Sequence, residues 1–595
     1  MPGGGGTTVS VLGGIASLGE YYIHVTLGSG ESAVRVRTQI DTGSSSLLVP
    51  GSACETCNSR TSRPQKAYAF VGNSSSAKKL KCDDGCGTLL PSSYGCADLA
   101  CRNIVGVGGN GDAFDVGCFG GSCCSNDERA CAFSISYGGD TSYSVSAIGE
   151  LTSDRVAVKV ENQMENHQGV VASTATINVI EREDGPWPAQ VEGILGMAFD
   201  ALNCNPTCFE SAFSKLLRAG AAQSSGEDGS SKAANAAMFA ICMGDEGGKL
   251  VLGDDGSHLI RSSNMVHTIP ISPFYANYRP TYYTVGISQV HLGGRGSAPH
   301  RHHLISSFAH EAILDSGTTF MLLHADVWGA FVSRLRTHYC HLPSVCVPYS
   351  QSIFSSRVCL TSSRDVASFP SLTVAFVKKL NGEEQGDDEL VYASLPPSVY
   401  FVAYNIGDGV EYYCLGIQKG SGSRSVLGDT FMRGFLTSFD RESMTVGLAV
   451  PDRNKCGSVA LAGEGDDLDL EVRLSSSLPA ASSSSYGQSS SSSSPMLRRA
   501  NALGATAAVA LAALLTLVVA TAAVTWVRRA WRRSSAANGM HFAYSATPFP
   551  KGGNELPSPA GENGGEEEEE DDDDFSALYG TFAVEGDSSP SAAAL

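Results

Sequence analysis

The chain has 595 residues, 42% of them hydrophobic and 17% charged, with a formal net charge of −20. At roughly 100–200 residues per domain this is several packing units, and the apolar share excludes a chain disordered throughout. The acidic balance argues against binding nucleic acid, which needs basic surface to displace backbone counterions.

Residues 1–17, which open MPGGGGTTVSVLGG, carry neither a basic run nor a sustained apolar stretch, so they read as a leader remnant and not as a signal peptide. Tyr21–Leu27 alternates apolar and polar residues, Val156–Val160 and Thr174–Ile180 are β-rich, and Tyr282–Leu292 alternates again. These are strand signatures. Cys208–Arg218 and His324–Thr337 are the better helix candidates, and the whole reads as mostly β. The Ala- and Ser-rich residues 219–237 read as a low-complexity loop, as does 293–304, where His300, Arg301, His302 and His303 form a weak metal-clip candidate. Residues 461–497 run from acidic into serine-rich sequence, which reads as a stalk because it cannot bury enough apolar surface to offset its ordering entropy.

Residues 500–527 contain no charged side chain, and at about 1.5 Å per residue they are long enough to cross a hydrocarbon core of roughly 30 Å. They read as a transmembrane helix. Arg528, Arg529, Arg532 and Arg533 follow it while only Arg498 and Arg499 precede it, so the tail 528–595 is expected in the cytosol. The acidic run at 566–574 in that tail reads as solvated. All 18 cysteines lie between Cys54 and Cys456, consistent with a disulfide framework made on the luminal side. Cys54-Glu-Thr-Cys57 also has zinc-like spacing, but no repeated CxxC pattern or His partners accompany it, so no metal is expected. A luminal segment of this size ordinarily follows a signal, so one is expected to precede the residues given.

Two distant segments repeat one idea. Gln39-Ile40-Asp41-Thr42-Gly43-Ser44-Ser45 and Ile313-Leu314-Asp315-Ser316-Gly317-Thr318-Thr319 each place a carboxylate after an apolar strand, then a hydroxyl, a glycine and another hydroxyl. Each is followed downstream by an apolar-apolar-Gly element, Val191–Gly196 and Ser425–Asp429. Water cleaves an amide readily only if a base takes its proton while an acid polarises the carbonyl oxygen. Two adjacent carboxyls that share one proton can do both, because the second cannot ionise cheaply beside the first. Asp41 and Asp315 are the candidate catalytic pair. Thr42, Gly43, Ser44, Ser316, Gly317 and Thr318 are the candidates to support it, the glycines by permitting close approach and the hydroxyls by fixing outer oxygens.

With these motifs the chain resembles the pepsin-like aspartic proteases over roughly residues 18–456. Gly19-Glu20-Tyr21-Tyr22 resembles the family's first strand, and Val426–Val450 its closing segment almost throughout. The resemblance implies two β-rich lobes related by pseudo-twofold symmetry, residues 18–218 and 238–460, with an extended polypeptide substrate between them, no cofactor, and a monomer. It also implies a flap. Phe133–Asp140 is similar to it, with Tyr137 as the flap tyrosine, although an extra polar turn runs to Ser144 and Leu48 replaces the partnering tryptophan. The Cys-rich insertion 54–131 resembles that of nepenthesins, and with the membrane segment the chain looks like the export proteases of the plasmepsin V type. That likeness implies secretory-pathway substrates cut after a basic motif, with Asp140 a candidate partner for the basic side chain. By similarity to the membrane-anchored β-secretases, the expected pairings in the second lobe are Cys242 with Cys456 and Cys359 with Cys414. Asn73-Ser74-Ser75 is a candidate glycosylation sequon. The rival reading is a catalytically silent receptor or inhibitor on the same scaffold.

Overall fold

The computed structural model describes residues 7–474 apart from 16–18, 59–73, 82–121, 125–130, 138–144, 162–167, 186–190, 204–208, 225–234, 272–279, 294–302, 380–388, 406–408, 458–470 and a few single positions. The described part is mostly β and belongs to one compact unit, Met1–Leu478. The transmembrane segment 500–527, the tail, Asp140, Asn73, most of the 54–131 insertion and His300–His302 lie outside the described residues. Among the described residues no helix is long and apolar enough to cross a membrane.

The same three-strand unit occurs twice. In the first lobe, strand Val34–Asp41 runs parallel to Gly193–Gly196, which is antiparallel to Leu47–Pro50. In the second, His310–Leu314 runs parallel to Ser425–Leu427, which is antiparallel to Met321–Leu323. Each unit thus delivers one aspartate at the end of a buried strand. The repetition follows from sequence: Ile40 and Leu314 are fully buried just before the turn, and Gly196 and Gly428 permit the crossing strand to pass. A Cβ on Gly196 would lie 2.5 Å from the Ser45 amide nitrogen, and one on Gly428 would lie 2.2 Å from the Thr318 carbonyl oxygen.

Around these units the first lobe is built on Glu20–Leu27 and the long hairpin Val145–Glu161 with Gln168–Asp184. Tyr21, Ile23, Val25 and Leu27 all point into the core, as their alternation predicts. A bridging antiparallel layer joins the lobes: His267–Pro270, Thr445–Ala449, Leu436–Asp440, Met238–Gly244, Gly247–Leu252 and Thr7–Gly14 in that spatial order. Phe239 stacks on Phe439 at 4.7 Å within it, and Tyr283 packs 4.5 Å from Phe439. Each such buried ring contributes about 1.5–3 kcal/mol of apolar burial. Arg433 is fully buried behind this layer, donating to Phe401 O at 2.6 Å, to Val399 O and to Asp245 Oδ1 at 2.8 Å.

Four boundaries differ from expectation. Thr7–Gly14 is an integral strand and not part of a leader remnant: it pairs with Gly248–Leu252, and Val9, Val11 and Ile15 are buried in the core. The second helix candidate stands, as Ala325–His338 with His324 as its N-cap, while the first is displaced to Ala212–Ser224 and takes in the start of the expected loop. Ala219, Ala221 and Ala222 favour helix, and Gly220 lies where a Cβ would press on Leu252. Within the expected stalk, Glu471–Leu474 forms a strand on Val391–Ser394, so this part of 461–497 is docked on the second lobe. His303–Ser306 is likewise strand where loop was expected.

Cys242 bonds Cys456 and Cys359 bonds Cys414, as the resemblance implied. Cys54 and Cys57 are joined to each other, which removes both thiolates that a zinc reading needs. Cys340–Cys346 was not anticipated.

Candidate active site

Asp41 and Asp315 meet between the lobes with matching surroundings. Asp41 Oδ1 accepts the Gly43 N–H at 2.8 Å and its Oδ2 accepts the Ser44 hydroxyl; Asp315 Oδ1 accepts the Gly317 N–H at 2.8 Å and its Oδ2 accepts the Thr318 hydroxyl at 2.7 Å. The two Oδ1 atoms stand close together: Asp41 Oδ1 and Asp315 Oδ1 lie 2.3 and 3.2 Å from the point where a Cβ on Gly317 would sit. The glycines are required here. A Cβ on Gly43 would lie 2.5 Å from Asp315 Oδ1, and one on Gly317 would lie 2.3 Å from Asp41 Oδ1.

Thr42 and Ser316 lock the two loops reciprocally. The Thr42 hydroxyl donates to Leu314 O and accepts the Ser316 N–H, both at 2.9 Å; the Ser316 hydroxyl donates to Ile40 O at 2.9 Å and accepts the Thr42 N–H at 3.1 Å. All four bonds are buried, where a hydrogen bond is little weakened by water and costly to leave unmade. The side chains sit deeper than the carboxyls and set their separation.

Burial, and next the Asp315 charge, hold the Asp41 carboxyl well above the ordinary carboxylate range, against the lowering effect of the Ser44 and Gly43 donors. A pair in this state retains one proton where isolated aspartates would have lost theirs.

Tyr137 lies at the end of strand Cys131–Tyr137, paired with Val145 on the neighbouring strand. Its buried hydroxyl lies beside Ser44 and Asp41, and burial followed by the Asp41 charge raises its pKa. Leu48 is fully buried in the same apolar cluster. Tyr137 therefore reaches the neighbourhood of Asp41 with Leu48, and not a tryptophan, in its apolar cluster. Tyr282, near enough to influence Tyr137, approaches from the second lobe.

Several neighbours were not picked out from sequence. The Asn203 Oδ1 accepts the hydroxyls of Ser45 and Ser46 at 2.8 and 3.0 Å, pinning the first loop from behind. The Tyr283 hydroxyl donates to Met197 O at 2.6 Å across the lobes. Asp429 is fully buried behind Asp315, its N–H donating to Thr318 O at 2.8 Å, and burial followed by the Asp315 charge pushes its carboxyl well up. Met197 occupies the corresponding place in the first lobe, its N–H donating to Asp41 O at 2.7 Å. A lone Asp inside a closing apolar segment gave no signal of such a position.

Residues 118–450 match the family model of the eukaryotic aspartyl proteases. The chain is also similar to cathepsin D of Bos taurus, 24% identical over 330 residues, covering 53% of this chain and 69% of cathepsin D. The first aspartate loop lies outside the family match and is brought to the second by the fold. With more than half its length matched, the chain belongs to the eukaryotic aspartyl protease family.

Proposed function

We propose that the protein is an aspartic endopeptidase in which Asp41 and Asp315 together activate a water molecule against a peptide carbonyl. The observation that carries this reading is the pair of facing carboxyls, each fixed by a glycine N–H and a hydroxyl and held in register by the Thr42–Ser316 lock. The ionised carboxyl takes a proton from water as that water attacks, and the protonated carboxyl donates to the developing oxyanion. The captured proton then passes to the leaving amine. Base and acid are properties of the coupled pair and not of either residue. Tyr137 covers the substrate backbone. A silent receptor on this scaffold would not need both carboxyls and both hydroxyl supports intact.

The substrates we assign to it are polypeptides of the secretory pathway or cell surface. The protein acts as a monomer anchored by 500–527 as a single-pass type I membrane protein, with its catalytic part luminal or extracellular. The charge-free stretch, the arginines after it and the restriction of cysteines to one side of it support this arrangement. A basic residue in the cleavage motif, paired with Asp140, is the finer form of the proposal. A peptide library incubated with the purified full-length protein, with and without pepstatin, tests the reading. Pepstatin-sensitive cleavage is expected, weakened at basic motifs by Asp140→Ala. A protein with no cleavage at any pH between 4 and 7.5 would overturn it.

A further inference from the structure

His310 opens the strand His310–Leu314, which leads directly into Asp315, and its ring is tied into a closed hydrogen-bond circuit. Nδ1 lies 2.9 Å from Phe308 O, which can only accept, so Nδ1 carries the proton and Nε2 is left as an acceptor. Nε2 lies 2.9 Å from the Ser425 hydroxyl, which must donate to it, and the same oxygen accepts the His324 N–H at 2.9 Å. Ser425 is fully buried. A second imidazole serves as an acceptor beside the first: His324 Nδ1 caps the helix Ala325–His338 by accepting the Asp326 N–H at 3.3 Å. The two rings are 5.9 Å apart, and Phe308 packs against both.

This circuit closes only with both imidazoles neutral. A proton on His310 Nε2 turns it into a donor, so the Ser425 hydroxyl must rotate away and its hydrogen loses its acceptor in a site without water access. A proton on His324 Nδ1 removes the helix cap, for which the Asp326 carboxylate 3.8 Å away compensates in part. The other charged neighbours are Glu311 and Arg424, which pair with each other at 2.7 Å; the strand packed alongside presents Ile287. Burial, helped by His324, holds the His310 pKa below its ordinary range.

The position matters because Ser425 ties together the far ends of all three strands that carry the Asp315 loop: His310–Leu314, Met321–Leu323 running into His324, and Ser425–Leu427. We propose that His310, Ser425 and His324 form an acid-sensitive latch on the second aspartate loop, closed when the histidines are neutral and released reversibly as they protonate. The loop is then ordered at neutral to mildly acidic pH and loosened in more acidic surroundings. The consequence for catalysis rests on the peptidase reading; the loosening itself does not.

Hydrogen-exchange mass spectrometry on the purified full-length protein tests the latch, with wild type, His310→Gln and Ser425→Ala compared at each pH so that intrinsic exchange cancels. For wild type, opening of peptides covering 308–325 and 424–430 is expected to rise by up to about tenfold per pH unit below about 6.5. His310→Gln is expected to flatten that rise. Ser425→Ala is expected to exchange faster already at pH 7 with a weaker pH dependence, and it decides the matter if His310→Gln does not fold. Under the peptidase reading, His310→Gln also retains several-fold more of its pH 7 kcat/KM at pH 4.5 than wild type does. Identical pH curves for wild type and His310→Gln, or a Ser425→Ala curve that overlays wild type, would overturn the latch; absent cleavage with the exchange pattern intact would overturn only the peptidase reading.

Discussion

Replacing Asp41 by Asn is expected to stabilise the protein, and only above the pH at which an ordinary aspartate ionises. Asn keeps an oxygen for the Gly43 N–H and a polar partner for Ser44, so packing and the loop hydrogen bonds are retained. What it removes is a buried ionisable group pressed against Asp315. In the unfolded chain Asp41 titrates near its ordinary 3.8, while in the folded protein burial and Asp315 hold it higher. For a raised folded-state pKa, stability is fully present below the unfolded value and is lost as pH climbs toward the folded one. The loss is about 1.4 kcal/mol per pH unit across that window. Wild type and Asp41→Asn should therefore be equally stable near pH 3.5 and differ by about 2–3 kcal/mol two units above the ordinary aspartate value. Thermal unfolding with disulfides oxidised, scanned from pH 3.5 to 7, measures the gap. A gap that stays constant with pH, or a wild type that gains on the variant as pH rises, would refute the argument that the pair is a strained, proton-retaining one.

Gly43→Ala should fold yet lose at least about a hundredfold in kcat/KM, since its Cβ would lie 2.5 Å from Asp315 Oδ1 and a displacement of about 1 Å at a reacting group costs that much; steady-state kinetics beside a circular dichroism spectrum checks it. Ser316→Ala removes a hydroxyl that bonds both Ile40 O and the Thr42 N–H, and should destabilise by about 1–3 kcal/mol in urea unfolding while also lowering kcat. Arg433→Leu removes the buried partner of Asp245 and frees the Val399 and Phe401 carbonyls, so a loss of about 3–5 kcal/mol or failure to fold is expected, read by soluble expression yield and unfolding midpoint. A chain ending at Gly457 lacks Glu471–Leu474 and uncovers the edge of strand Glu389–Leu395; unlike a chain ending at Leu478, it should associate with rising concentration in light scattering.

The aspartate loops were legible because their chemistry is local: carboxylate, hydroxyl, glycine and hydroxyl within four residues after a buried strand, repeated once. The strands with clean alternation, such as Glu20–Leu27, were legible for the same reason. What escaped depended on partners far along the chain. Thr7–Gly14 is short, follows a glycine run and is ambiguous alone, and becomes a strand because Gly247–Leu252 offers it an edge. Glu471–Leu474 sits in acidic, serine-rich surroundings and is ordered by pairing roughly eighty residues back, with Arg473 lying over Tyr392. Asp429 and His310 gave no signal because neither residue type is diagnostic; each matters through what packs on it. The Cys340–Cys346 bond shows the same limit, since eighteen cysteines allow many pairings and spacing alone selects none.

Cleavage of one susceptible peptide by wild type, Asp41→Asn and Asp315→Asn, each shown to be folded by its thermal transition, tests the shared-proton pair most directly. Both variants should fall by at least about a thousandfold in kcat, because neither half can act as acid and base alone. Either variant retaining activity within tenfold of wild type would contradict a mechanism that needs both carboxyls.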